Sequence, residues 1–160
     1  MRNIRRIKRK NETKMNTAII YYSKHHGNTK KLLDAICEEF TDIDLIDVTD
    51  TDVTDLSGYD RIGIASGIYF SDFAKQIKEY AKKHLPVGKQ AFLISTQGAP
   101  MGRYYGGIKK VIEEKRCTVI AEYGCRGFDT YGPFKVLGGI AKGHPTEEEI
   151  RQAIEFYRRL

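Results

Sequence analysis

A strand that empties through a polar, glycine-containing loop into a helix leaves few folds open to a chain, and residues 18–36 have that form. Residues 18–22 are an apolar, β-prone run. Ser23-Lys24-His25-His26-Gly27-Asn28-Thr29 follows, and Leu32, Leu33 and Ile36 then recur at helical spacing. The first turn of such a helix carries backbone N–H groups without intrahelical acceptors, and the helix dipole adds positive potential there. A phosphate satisfies both. Gly27 removes a Cβ where backbone must approach a ligand. Ser23, Asn28 and Thr29 offer short polar side chains, while Lys24, His25 and His26 supply fixed or switchable positive charge. The same residues also suit a capped strand-to-helix turn that binds nothing.

The rest of the chain repeats the alternation. Helical patterns are predicted over residues 29–40, 72–84, 104–114 and from Pro145 to the end, and strands over residues 44–48, 61–65, 90–94 and 118–123. Thr146 and Glu149 form a capping box at the start of the last helix, with Glu147 and Glu148 suiting its dipole. Residues 49–58 read as an acidic, Thr-rich connection without regular structure. The order β α β β α β α β α implies an α/β fold with a parallel sheet covered on both faces. Right-handed crossovers favour five strands in the order 2-1-3-4-5, with ligands beyond the strand C-termini at the switch point between the first and third strands. No internal repeat or linker divides residues 15–160.

Three polar, Gly-containing loops therefore share one rim: residues 23–29, 66–70 and 95–106. Together they suit a ligand with a phosphate end and a flat end. Tyr69, Phe70, Tyr104 and Tyr105 are candidate stacking faces, or else core packing.

The 160-residue chain has a formal net charge of +6. Seven basic residues against Glu12 in residues 1–14 account for the whole excess, and residues 15–160 balance 20 basic against 20 acidic residues. A basic arm suits nucleic acid or an anionic surface, or is merely a solvated extension, with Met15 a natural start before the first strand. The balanced body argues against a nucleic-acid module. No apolar run is long enough to span a bilayer. Cys37, Cys117 and Cys125 are odd in number and lack CxxC spacing, which points to a reducing cytoplasm rather than a disulfide framework or zinc site. Cys37 fits the buried face of the first helix. No histidine has metal-ligand spacing, so no metal is expected. The first loop lacks GxxxxGK(S/T), which argues against a P-loop NTPase. The first strand lacks the acidic cluster of a receiver domain.

Tyr21-Tyr22-Ser23-Lys24-His25-His26-Gly27-Asn28-Thr29-Lys30-Lys31 resembles the FMN-phosphate loop of the flavodoxin family, roughly (Ser/Thr)-x-Thr-Gly-x-Thr opening the first helix. The likeness extends over residues 17–160 and implies a short-chain, three-layer flavodoxin-like sandwich with FMN as cofactor. It implies that Gly27, Asn28 and Thr29 hold phosphate, that Ser66, Gly67, Ile68 and Tyr69 lie against the isoalloxazine, and that Ser95, Thr96, Gln97 and Gly98 lie near its pyrimidine edge. Gly67 is then the residue whose carbonyl turns toward the ring. Lys24 and His26 stand where the family has hydroxyls, and Ser23 is the nearest replacement. The body also lacks the acidic surplus usual in electron-carrier flavodoxins. The implied activity is electron transfer or oxidoreduction through FMN, to a redox partner protein or a small-molecule acceptor. The alternatives are a non-enzymatic one-electron carrier and a binder of another phosphate-bearing ligand. Residues 125–134 follow the fifth strand and reach the same rim, where they can close over the ligand. There Arg126 is a candidate for attracting an anionic substrate and Cys125 a candidate redox thiol, or else a surface arginine and an inert thiol.

Overall fold

A computed structural model describes residues 15–99, 105–130 and 132–160. The basic arm, Tyr104 and residues 100–103 of the third loop lie outside them. The chain runs β1 (Thr17–Tyr22), α1 (Asn28–Glu39), β2 (Ile43–Asp47), β3 (Arg61–Tyr69), β4 (Asp72–Phe73), α2 (Lys75–His84), β5 (Gln90–Gln97), α3 (Gly106–Glu114), β6 (Thr118–Arg126), a short 3-10 turn (Gly132–Lys135) and α4 (Glu147–Arg158). Five strands pair in parallel in the order β2-β1-β3-β5-β6, the expected 2-1-3-4-5 layout once β4 is set aside.

Strand alternation sends side chains to two cores. Ala18, Ile20, Ile62, Ile64 and Leu93 meet Ile77 of α2 and Ile108 of α3 on one face. Ile19, Tyr21, Phe92 and Ile94 meet Leu32, Leu33 and Ile36 of α1 and Ala153 and Tyr157 of α4 on the other. The result is three layers. Gly63 lets the second face close: a Cβ there would lie 2.5 Å from the Phe92 ring and 2.9 Å from Ile19. Residues 48–60 cross back to β3 without a helix, as expected, and are pinned by buried Leu56 and by the Tyr80 hydroxyl donating to the Val53 carbonyl.

The structure corrects several boundaries. Ser66–Tyr69 is not loop but the end of β3, and Ser95–Gln97 likewise completes β5. The serines and Thr96 are buried because each hydroxyl finds a partner: Ser66 Oγ accepts from Ala74 N–H at 3.1 Å, Ser95 pairs with the Tyr105 hydroxyl, and Thr96 pairs with Thr29 at 2.9 Å. Asp72 does not open a helix. It turns back as β4, with Tyr69 facing Asp72 and Ile68 facing Phe73, so α2 starts at Lys75. The turn Phe70-Ser71 has φ of 49° and 64°, a two-residue hairpin connection built without glycine. Helix α3 begins at Gly106, with Tyr105 as its N-cap. Cys37 lies at the flank of α1, half-buried, because Leu33 and Ile36 take the core positions. The capping box at α4 is present: Thr146 Oγ accepts from Glu149 N–H and Glu149 Oε2 from Thr146 N–H.

Candidate functional site

At the C-terminal rim of the sheet a cavity of about 290 Å³ opens beside the N-terminus of α1. Of the expected residues, Ser23, His25, Asn28, Thr29, Gly67, Ile68, Tyr69, Thr96, Gln97 and Gly98 line it. Lys24, His26, Gly27, Ser66 and Ser95 do not. Lys24 stands outside, 4.0 Å from the Asp47 carboxylate, and Ser66 and Ser95 are committed to the core.

The loop reaches α1 through two left-handed residues, His26 (φ 54°) and Gly27 (φ 64°). A side chain at Gly27 would be strained by that φ, and the space around its Cβ position is open. Gly27 offers no cap, so Ser23 Oγ, four residues earlier, accepts the Lys30 N–H at 3.1 Å. Its own O–H remains a donor. Helix geometry gives the Asn28 and Thr29 N–H groups no acceptor within α1. Asn28 is buried, and its Nδ2 donates to the Phe128 carbonyl at 2.7 Å. That bond fixes the amide, leaving Oδ1 buried with no partner among the described residues. The cavity thus holds an orphan acceptor next to a helix N-terminus, which fits a ligand carrying both an anionic group and a hydroxyl.

The second wall is apolar and aromatic. Ile68, Tyr69 and Phe70 form one lip, and Phe70 is 87% exposed. Tyr105 is not a stacking face: it is 2% exposed, with its ring 5.1 Å from Phe73 in the core.

The segment after β6 closes the third side. Gly127, Phe128, Asp129, Pro133 and Phe134 line the cavity, as do Ser71 and Ala99. The aromatic, aperiodic composition of residues 124–145 signals such a lid, but not which residues face inward. Glycine sets how closely the lid sits. A Cβ on Gly127 would lie 2.7 Å from Asn28 Nδ2, and one on Gly98 would lie 2.4 Å from Asp129 Cβ. His25 Nε2 lies 3.3 Å from the Thr130 N–H and 3.5 Å from Asp129 Oδ1, and His26 Nε2 lies 2.8 Å from Thr130 Oγ1.

Arg126 and Cys125 do not take the candidate roles. Arg126 Nη2 donates to the Gly98 carbonyl at 3.3 Å, Nε is buried, and the residue does not line the cavity. Burial pushes the Cys125 thiol up to about 12, with the Glu149 charge adding to it, which keeps the thiol protonated near neutrality. Among the described residues, no group of three or more His, Cys, Asp or Glu side chains is arranged to hold a metal ion.

Comparison with known proteins gives a consistent result. A flavodoxin domain is matched over residues 19–97. An uncharacterized protein of Methanocaldococcus jannaschii is 36% identical over 149 residues, spanning 91% of this chain and 98% of its own. Among solved structures, the chain is similar to a flavodoxin from the domain Archaea, with a TM-score of 0.64 and 18% identity over 91% of this chain and 98% of that one. It is also similar to oxidised Flavodoxin 1 from Bacillus cereus (TM-score 0.59, 16% identity, 91% and 99% covered) and to two-electron reduced Megasphaera elsdenii flavodoxin (0.57, 20%, 86% and 97%). At these identities the structural likeness speaks for the fold.

Proposed function

Because this chain belongs to the flavodoxin family, we propose that it binds FMN in the rim cavity and passes electrons through it to a redox partner protein or a small-molecule acceptor. The observation that carries the reading is the cavity itself, which joins the open N-terminus of α1 and the orphan Asn28 acceptor to an apolar, aromatic slot.

In this reading the Asn28 and Thr29 N–H groups, the Ser23 hydroxyl and His25 bind the phosphate, with Gly27 keeping the approach open. Asn28 Oδ1 would accept from a ribityl hydroxyl. Ile68, Tyr69 and Phe70, with Gln97, Gly98 and Ala99, would hold the ring, and Phe128 and Phe134 would exclude water. Bound FMN supplies the redox chemistry, and these residues set its orientation and surroundings. The three free cysteines suit a reducing cytoplasm. Among the described residues no helix is long and apolar enough to cross a membrane.

Titrating apoprotein with FMN tests this. Quenching of flavin fluorescence with a one-to-one endpoint is expected; neither quenching nor a calorimetric signal would overturn it. Steady reduction of a quinone by NAD(P)H with the loaded protein separates an enzyme from a carrier.

A further inference from the structure

The lid meets the phosphate loop through Phe128, Asp129 and Thr130, and Thr130 touches both histidines. Thr130 Oγ1 is 2.8 Å from His26 Nε2 and 3.3 Å from His25 Nε2, and the Thr130 N–H donates to His25 Nε2 at 3.3 Å. The two imidazoles stand edge to face, 4.7 Å apart, and the His26 ring packs 4.4 Å from Phe128. Only His25 of this trio lines the cavity. Thr130, through its N–H and Oγ1, and the Asp129 carboxylate 3.5 Å away all meet Nε2 and so fix the orientation of the His25 ring. The lid therefore determines how a cavity-lining imidazole of the phosphate loop is presented.

We propose that Thr130 is a positioning residue for the phosphate end of the site. It holds His25 directly, and through His26 braces the loop against Phe128, so that seating the lid completes the anion site. The proposal rests on the FMN reading. Its physical basis is preorganisation: an imidazole already ordered loses less freedom when an anion arrives. Thr130 does not line the cavity, so the flat end of the ligand does not sense it.

The experiment compares FMN with riboflavin, which has the same ring and ribityl chain but no phosphate. Affinities of both are measured by fluorescence quenching on the full-length apoprotein, its Thr130→Val variant and its Thr130→Ser variant. Valine is expected to weaken FMN roughly tenfold while riboflavin stays within about twofold, and serine to restore FMN to within about threefold of the parent. Equal weakening of both flavins by valine would make Thr130 a mere wall of the lid and overturn the proposal, as would unchanged FMN affinity. His26→Asn, a residue that tolerates the left-handed backbone there, gives the same FMN-selective loss if Thr130→Val fails to fold. A parent protein that binds neither flavin, or both equally, overturns the phosphate reading itself.

Discussion

Glu149 shows how one side chain supports the lid from behind. Burial pushes its carboxyl up, but the Thr146 N–H, the His144 ring and the Arg126 backbone N–H outweigh that and hold it below its ordinary value. A carboxyl lowered in the folded state stabilises the fold above its ordinary titration range, and the gain disappears as pH falls through the folded-state value. Glu149→Gln should therefore cost about 1 kcal/mol in urea unfolding at pH 7. The gap to the parent should close toward pH 3. A gap that widens in acid would contradict this. The capping box was legible in the sequence as a local four-residue pattern. The contact with His144 was not, because it depends on where the lid returns.

Among the elements, the β3–β4 hairpin was the hardest to read. Two-residue hairpin turns are signalled by Asn-Gly or Asp-Gly, and here Phe70-Ser71 occupies both left-handed positions. Asp72 and Phe73 then look like the start of the helix pattern that truly begins at Lys75. Ser71→Gly relieves the backbone and should raise stability by about 0.5–1 kcal/mol, read as a higher urea midpoint with an unchanged slope. A lower midpoint would show that Ser71 is not strained. Strand ends misled for a related reason. Ser66, Ser95 and Thr96 resemble loop residues in a sequence, yet are buried strand residues whose hydroxyl partners come from Ala74, Tyr105 and Thr29. Local pattern cannot supply such distant partners.

For the whole molecule, layer order and sheet order were accessible from hydropathy because each strand–helix alternation is local and parallel crossovers have one hand. The rim on which the cavity opens followed from that order. Among the described residues, the first anchoring bonds are Asn16 N–H to Asp60 Oδ2 and Thr17 N–H to the Asp42 carbonyl. A chain beginning at Met15 should thus keep its melting temperature within about 2 °C and its FMN affinity within about twofold of the full chain. A larger loss in either would give residues 1–14 a part in the fold or the site.

The lid leaves the sheet from β6, which among the described residues has a neighbour strand on one side only. Outer strands are the places where a sheet peels first under native conditions. Amide protons near the end of that strand should therefore exchange with deuterium before those of β1 and β3. On the FMN reading, the ligand's residence time is expected to follow peeling at this seam, so a swap of one boundary residue should retune it while the interior stays intact.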